Sequence, residues 1–326
     1  YKDMPNQLLQ NIEAELAAIN FPNSPEGLYE PIRYVLEGRG KRLRPTLLLM
    51  TYGLYCQENI KQALPAAVGI EMYHNHTLLH DDLMDRSDMR HGRPTVHRQW
   101  NDNTAILSGD TMLIMAFEHI MACQTGRREE ALRLFARSAR EICEGQQYDI
   151  NFESRTDVTI DEYLEMIRLK TSVLLACAAK TGALLANAPE DDAEALYTFA
   201  EKIGLAFQLQ DDYLDVYGDP TVFGKKTGGD ILCGKKTYLL INALNLADNS
   251  TREQLLSLLG THDMPASDKI KAVTDIYNNL GIDHLTREAI ENFYYQAHSA
   301  LKRIKLCSNT IEPLWKYAET LLDRKK

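Results

Sequence analysis

The chain has 326 residues, 44% of them hydrophobic and 25% charged, a composition ordinary for a globular protein, and its formal net charge is −10. That charge argues against a general binder of nucleic acid or anionic membranes, since either role needs a basic surface. The six cysteines form no CxxC pair, no apolar run reaches the ~20 residues of a membrane span, and no signal-peptide pattern opens the sequence, so we expect a cytoplasmic protein.

Helical patterns, with apolar residues three or four positions apart, dominate the chain, and strand-like alternation is nearly absent. A capping box at Thr159 and Glu162 marks one helix start. No linker-like or low-complexity stretch divides the sequence, so we predict a single all-α domain over residues 1–326. The clearest helical segments lie near residues 6–19, 104–122, 128–152, 160–187, 192–217 and 236–247.

Two acidic motifs with the same DDxxD spacing end helical stretches about 130 residues apart, LLHDDLMD (78–85) and QLQDDYLD (208–215). In each, the first and last aspartates lie one turn apart on one helix face, and the middle one is offset by about 100°. Carboxylates at a helix C-terminus need a compensating cation, and Mg²⁺ commonly binds one or two carboxylates together with substrate phosphates. One such motif is usually a solvated face. Two, each following an apolar helix, indicate carboxylates that line a cavity.

Three basic groups lie on glycine-containing turns: GRGKRLRP (38–45), RHGRP (90–94), and FGKKTGGD continued by GKKT (223–237). Arginine and lysine side chains suit phosphate, so three such groups suggest sites for more than one phosphate group. GDILCGKK (229–236) nearly matches a P-loop, but it lacks the Ser or Thr that binds Mg²⁺ and follows no strand. His76 and His80 could form a zinc pair, but no third ligand has ordinary spacing, which favours packing or phosphate contact.

Together these motifs resemble the trans-isoprenyl (polyprenyl) diphosphate synthase family over about residues 30–240. The resemblance implies the helical isoprenoid synthase fold around a central cavity, usually in a homodimer. It also implies Mg²⁺-dependent elongation, with about three ions per active site. An allylic diphosphate (dimethylallyl, geranyl or farnesyl) ionises, isopentenyl diphosphate attacks the cation, and the departing diphosphate takes up the proton that is lost.

The resemblance also assigns roles to individual residues. Asp81, Asp85 and Asp211 match the positions of the family's Mg²⁺ ligands. Asp82 would support the first-motif ligands, and Asp212 and Asp215 would contact the metal directly or through metal-bound water. The allylic diphosphate site matches Arg90, Lys170, Lys225 and Lys235, and the isopentenyl diphosphate site matches Lys41, Arg44 and His74. Thr171, Gln208 and the Lys170 backbone match groups whose dipoles lie near the carbocation. Gln146 and Asp149 match positions on a helix that lines the same cavity.

One position departs from the family pattern, which has two arginines before the glycine where this chain has Arg90-His91-Gly92. His91 would take the place of an arginine that contacts isopentenyl diphosphate, and Arg93 could compensate. Because the charge of a histidine depends on pH, we expect binding of that substrate to weaken as pH rises through neutrality.

Product length in the family depends on the residues one or more turns before the first motif. Here these are Thr77, His76 and, one turn deeper, Tyr73. Each helical turn adds ~5.4 Å of depth, roughly one C5 unit, so a floor at Tyr73 predicts a C20 product. We favour geranylgeranyl diphosphate, with farnesyl diphosphate second and longer chains third.

Two functions of other classes remain as alternatives. A class I terpene cyclase also carries a DDxxD motif, but its second motif differs and it lacks an isopentenyl diphosphate site. A non-catalytic partner subunit would be a binding protein, which two complete acidic motifs argue against.

Overall fold

The computed structural model describes residues 3–223 and 227–323. The N-terminal elements are α1 (Met4–Ala17), α2 (Glu30–Leu36), α3 (Leu43–Tyr55), a 3₁₀ turn (Ile60–Gln62), α4 (Leu64–Asp85), β1 (Met89–Arg90), β2 (Arg93–Pro94), α5 (Val96–Gln99) and α6 (Asp102–Met121). They are followed by α7 (Arg128–Phe152), α8 (Ile160–Ile167), a π-helical segment (Arg168–Ser172), α9 (Val173–Leu185) and α10 (Glu190–Tyr217). The remaining helices are α11 (Pro220–Phe223), α12 (Gly229–Cys233), α13 (Tyr238–Leu246), α14 (Asn249–Gly260), α15 (Ala266–Asn279), α16 (Ile282–Lys302) and α17 (Ser308–Leu322).

The all-α prediction is confirmed, and both acidic motifs lie at or near helix ends, because α4 ends at Asp85 and α10 ends at Tyr217. The capping box is also present: Glu162 N–H donates to the Thr159 hydroxyl, and the Glu162 carboxylate accepts from Thr159 N–H. Two features were not predicted. The helical segment near 160–187 contains a π-helical turn, and residues 89–94 form a small antiparallel hairpin.

The chain divides into two compact units, Tyr1–Ala136 with Cys177–Leu196 and Arg137–Ala176 with Tyr197–Lys326. Whether they act as one domain stays a prediction. In the first unit, α4 and α6 pack closely at two glycines. A β-carbon at position 69 would lie 2.8 Å from the Ala116 carbonyl oxygen, and one at position 109 would lie 2.2 Å from His80 Nε2. This close approach fixes the face of α4 that carries the first acidic motif.

The second unit is built around α13, whose sequence YLLINALNL is apolar nearly all round. Leu239 is fully buried there in one cluster with Leu209 of α10, Tyr163 of α8 and Val273 of α15. The end of α10, which carries the second acidic motif, is thereby held by packing. Among the helices of the described ranges, none is long and apolar enough to cross a membrane.

Candidate active site

The first acidic motif is followed by a sharp chain reversal. Arg86 adopts the left-handed conformation with φ 55°, and Ser87 N–H donates to the Asp82 carbonyl at 3.0 Å, which ends α4 immediately after Asp85. The Thr95 hydroxyl donates to the Ser87 carbonyl at 2.7 Å and closes residues 87–95 into a loop. The loop returns the basic residues of the hairpin to the acidic helix end.

Asp82 and Arg90 form the main ion pair at this helix end. Arg90 Nε donates to Asp82 Oδ2 at 2.7 Å and Arg90 Nη2 donates to Asp82 Oδ1 at 2.8 Å, a bidentate arrangement. Asp82 is 6% exposed, Asp81 is partly exposed and Asp85 is exposed. The middle aspartate, Asp82, therefore binds and orients Arg90, whereas Asp81 and Asp85 are the more accessible carboxylates of the motif.

His91 lies at the tip of the hairpin. Arg90 pairs with Arg93, so His91 and Gly92 form a two-residue turn, with φ 51° and 77° respectively. Both positive values are those of a type I′ turn. Arg93 packs its guanidinium over the Tyr34 ring at 3.7 Å and donates to the Tyr34 carbonyl at 3.0 Å, so it ties the hairpin to α2. His91, Arg93 and Tyr34 line a small pocket together with Asn75, Leu79 and Asp82.

Arg44 and His74, both predicted to bind isopentenyl diphosphate, are adjacent. Arg44 Nη1 lies 3.3 Å from His74 Nε2. Burial, followed by the positive charges of Arg44 and other basic residues, lowers the pKa of His74 well below its usual value. His74 is therefore neutral near pH 7 and accepts the hydrogen bond from Arg44. Lys41 is exposed and lies two positions before the first residue of α3.

In the second unit, the middle aspartate of the motif is again buried. Asp212 is 1% exposed and accepts hydrogen bonds from the Tyr163 hydroxyl, from Gln208 Nε2 at 3.2 Å and from Tyr238 N–H at 3.0 Å. Burial raises the pKa of Asp212 to about 6, against the opposing effects of the Lys235 charge and the Tyr163 hydrogen bond. Both carboxylate oxygens of Asp212 already accept hydrogen bonds from protein groups, so Asp212 is the least available carboxylate of the motif.

The outer aspartates of this motif, Asp211 and Asp215, are partly exposed. Asp215 Oδ2 accepts from Asp230 N–H at 2.9 Å, which joins the motif to α12. Lys235 stands among carboxylates: burial disfavours its charged form, but Asp212, Asp230 and further aspartates outweigh burial and raise its pKa. Lys225 lies outside the described residues.

The donor set fits a hard divalent cation. Within residues 3–223 and 227–323, no group of three or more His, Cys, Asp or Glu side chains is close enough to hold a metal ion. The accessible carboxylates come in pairs on helix ends, and Mg²⁺ commonly takes one or two carboxylates with substrate phosphates completing its shell. Asp81 with Asp85, and Asp211 with Asp215, would supply these oxygens. The metal assignments stay predictions.

Lys170 and Thr171 lie on the π-helical segment, where backbone hydrogen bonds run from i to i+5 and the turn is widened. Such segments frequently occur at functional sites. Lys170 Nζ donates to Asp149 Oδ2 at 2.7 Å, which orients the ammonium group. Gln208, one turn before Asp212, is partly exposed. Sequence patterns gave no sign of the π-helical turn, although Gly145, inside the long helix α7, could have indicated a close backbone approach there.

The three predicted chain-length residues differ in how firmly they are held. Tyr73 is 2% exposed, and its ring packs edge-on against Phe135 at a centroid distance of 5.1 Å. His76 Nδ1 donates to the Gly109 carbonyl at 2.8 Å, and the Thr77 hydroxyl donates to the His74 carbonyl at 2.6 Å. His80 Nε2 lies 3.2 Å from the Ile106 carbonyl oxygen, so His76 and His80 both tie α4 to α6.

The chain was compared with known protein families, curated proteins and solved structures. The family model for polyprenyl synthetases matches residues 25–277. The chain belongs to the polyprenyl synthetase family. It is 46% identical over 221 residues to the geranylgeranyl diphosphate synthase of Methanosarcina mazei, covering 67% of this chain and 68% of that protein. It is 39% identical over 282 residues to the geranylfarnesyl diphosphate synthase of Natronomonas pharaonis, covering 81% and 80%.

Among solved structures, the geranylgeranyl pyrophosphate synthetase of Pyrococcus horikoshii matches with a TM-score of 0.91 and 32% identity, over 99% of each chain. The predicted family and the all-α isoprenoid synthase fold are thus confirmed, and the polyprenyl synthetase is a prenyl-transferring enzyme. The family implies use of a divalent metal. The roles of individual residues stay predictions.

Proposed function

We propose that this polyprenyl synthetase is a Mg²⁺-dependent trans-prenyltransferase that joins isopentenyl diphosphate to allylic diphosphates and makes geranylgeranyl diphosphate (C20). The observation that carries the proposal is a pattern repeated in both aspartate motifs. The middle aspartates, Asp82 and Asp212, are buried and bonded by protein groups, whereas the outer aspartates are more accessible. Each motif thus offers an accessible carboxylate pair on a rigid helix end, as a metal bound between protein and diphosphate requires.

The residues suit ionisation of an allylic diphosphate. Bound Mg²⁺ would neutralise the negative charge that develops on the departing diphosphate. Arg90, oriented by Asp82, and Lys170, oriented by Asp149, add fixed positive charge, as does Lys235. The widened turn at Lys170 and Thr171 and the Gln208 amide would direct dipoles toward the allylic cation. The departing diphosphate takes up the proton lost after condensation, so no protein base is required.

The Arg44–His74 pair supports the site for isopentenyl diphosphate. Because His74 is neutral, it adds a polar contact beside Arg44 without adding a second positive charge that would repel the guanidinium. The exposed Lys41 ammonium, which precedes the same helix α3, supplies a further charge for the second diphosphate.

The rigidity of Tyr73 supports the C20 product. Its ring packs against Phe135, which in turn packs edge-on against Phe117 at 4.7 Å, so the floor is backed by two further aromatic rings. Thr77 and His76, nearer the first motif, are smaller, and His76 is held against α6. A chain that grows along α4 would pass them and stop at Tyr73.

A homodimer and a cytoplasmic location belong to the same proposal. On α6, Leu107, Ile114 and Met121 are 58%, 61% and 46% exposed and recur every seven residues, which gives an apolar stripe suited to a second copy of the chain. The six cysteines are scattered and form no CxxC pair, a pattern that suits a reducing compartment. Light scattering on Ile114→Glu, expected to dissociate the parent's dimer, tests the stripe.

One assay tests the function. The protein is incubated with labelled isopentenyl diphosphate, Mg²⁺ and each allylic diphosphate in turn, and the dephosphorylated products are sized. We expect C20 products, with about a hundredfold or greater loss of rate in Asp81→Ala. Asp88→Ala is the matched control, since Asp88 is an exposed acid beside the motif that pairs with Arg98.

Each other outcome has a definite meaning. Products ending at C15 or at C25 would contradict the C20 assignment alone. A cyclic hydrocarbon would indicate a terpene cyclase, and turnover only after addition of another subunit would indicate a partner protein. Absence of elongation with every primer would refute the proposal.

A further inference from the structure

Arg42 differs from the other cations of the GRGKRLRP turn because its side chain is buried. Arg42 is 3% exposed and adopts the left-handed conformation, with φ 49°. Its guanidinium donates to Glu13 Oε1 at 2.7 Å, to Glu71 Oε1 at 3.0 Å, and to the carbonyls of Leu36 and Gly38. A guanidinium that is buried and bonded in four directions is not a substrate ligand. It fixes the turn.

Glu71 is the buried counter-charge of Arg42. It is 3% exposed, and its Oε1 also accepts from Asn75 Nδ2 at 3.0 Å. Burial raises the pKa of Glu71, whereas the charge of Arg42 opposes that rise. A carboxylate and a guanidinium buried together form a bridge between the turn before α3 and the middle of α4.

The bridge joins the two chain segments that carry the predicted diphosphate-binding groups. Arg42 lies between Lys41 and Arg44 in the chain, and Glu71 precedes His74 by one helical turn. Arg44 Nη1 and His74 Nε2 are 3.3 Å apart, so the distance between turn and helix decides whether these groups can act on one anion. A non-glycine residue in the left-handed conformation persists when its surroundings hold it there, and here the four acceptors do so.

We propose that Glu71, through its bridge to Arg42, is a positioning residue for the non-allylic diphosphate, setting the spacing of Lys41, Arg44 and His74. This inference rests on the proposed function. It predicts a selective effect: loss of the bridge weakens binding of isopentenyl diphosphate and leaves the allylic substrate and the chemical step unchanged. A residue needed only for stability would lower the melting temperature without separating the two substrates.

The first test is Glu71→Gln, which removes the charge and leaves only a weaker neutral hydrogen bond in place of the ion pair with Arg42, so the turn before α3 is held less firmly. We expect KM for isopentenyl diphosphate to rise about tenfold or more, with kcat and the allylic KM within about twofold of the parent. Calorimetric titration with isopentenyl diphosphate alone should show the same loss of affinity. Glu15→Gln is the matched control, since it removes an exposed carboxylate from α1 and leaves Arg42 with all its acceptors.

A second variant keeps the test decisive if Glu71→Gln does not fold. Replacing both members of a buried ion pair by apolar residues commonly preserves stability, so Arg42→Met with Glu71→Leu should fold and still bind isopentenyl diphosphate at least about tenfold more weakly. Parent-like affinity for isopentenyl diphosphate in either folded variant would overturn the inference, as would equal changes in the KM values of the two substrates. In both cases the proposed function would still stand, provided that the parent elongates. A parent protein that elongates no primer would refute the proposed function. The role of the Arg42–Glu71 bridge would then be tested only by the calorimetric titration with isopentenyl diphosphate.

Discussion

Gly145→Ala should test whether the widened turn at Lys170 matters for catalysis. Gly145 lies in α7, where a β-carbon would come within 2.4 Å of Lys170 N, 2.8 Å of Lys170 Cα and 2.9 Å of Leu169 C. All three are backbone atoms, so no side chain can swing aside. Gly204 of α10 has the same relation to Ser172, with distances of 2.7 Å to its hydroxyl oxygen and 2.9 Å to its Cα. The π-helical segment therefore lies against glycines of two helices.

The size of the effect follows from these distances. Ordinary contact begins near 3.4 Å, so the backbone at Lys170 must retreat by about 1 Å. A misplacement of about 1 Å can cost about a hundredfold in rate, equivalent to about 2.7 kcal/mol of transition-state stabilisation. Overpacking costs about 1–3 kcal/mol of stability, of which the gain from removing a helical glycine returns about 0.5–1 kcal/mol. Most of the protein should remain folded and react slowly.

The assay is single-turnover elongation with labelled isopentenyl diphosphate, combined with thermal unfolding followed by circular dichroism. Gly260→Ala is the control, because a β-carbon there meets nothing within 4 Å and Gly260 also lies in a helix of the second unit. We expect a rate near the parent's for the control and a rate about a hundredfold lower for Gly145→Ala. A fully folded Gly145→Ala protein within about threefold of the parent rate would refute the role assigned to the backbone at Lys170.

Three further predictions concern the first unit. Tyr73→Ala should open the floor and lengthen products beyond C20 by one or more C5 units, and an unchanged product ladder on thin-layer chromatography would exclude Tyr73 as the floor. Burial and the nearby His80 lower the pKa of His76 to about 4, so between pH ~6.5 and 4 the unfolded state takes up this proton and the folded state does not. The unfolding free energy should therefore fall by up to about 3 kcal/mol from pH 6.5 to 4, and His76→Asn should lack this share in urea titrations. His91→Arg should make KM for isopentenyl diphosphate independent of pH between about 6 and 8, and a parent KM already constant there would contradict the idea.

The helices and the acidic motifs were predictable because each depends on short-range regularities. Apolar spacing located α7 at residues 128–152, and the i, i+4 relation placed Asp81 and Asp85 on one helix face. The capping box at Thr159 was recognised for the same reason, since its two hydrogen bonds join residues three positions apart. Patterns of this kind are complete within one turn of helix, so tertiary structure is not needed to read them.

The partners of the middle aspartates could not be read in this way. Tyr163 donates to Asp212 across 49 positions, and no local pattern distinguishes it from other tyrosines. The π-helical turn at Lys170 has no periodicity of its own over five residues. Arg42 looked like one more phosphate-binding cation in a basic run, because a sequence does not show that Glu13 and Glu71 surround it. In each case long-range packing decides the role of the residue.

The histidine at residue 91 suits the backbone of the hairpin turn but lacks the permanent charge of the arginine in the family pattern. Charge alone makes histidine a poor replacement for arginine at this position. The backbone adds a second requirement, because residue 91 is the first of two left-handed residues in the hairpin turn. Histidine, like asparagine and aspartate, is enriched in that conformation compared with other non-glycine residues. The hairpin also delivers Arg90 to Asp82, so a residue that suits the turn protects the ion pair behind it. The chain therefore preserves the position of Arg90 by having at residue 91 a histidine, whose positive charge depends on pH.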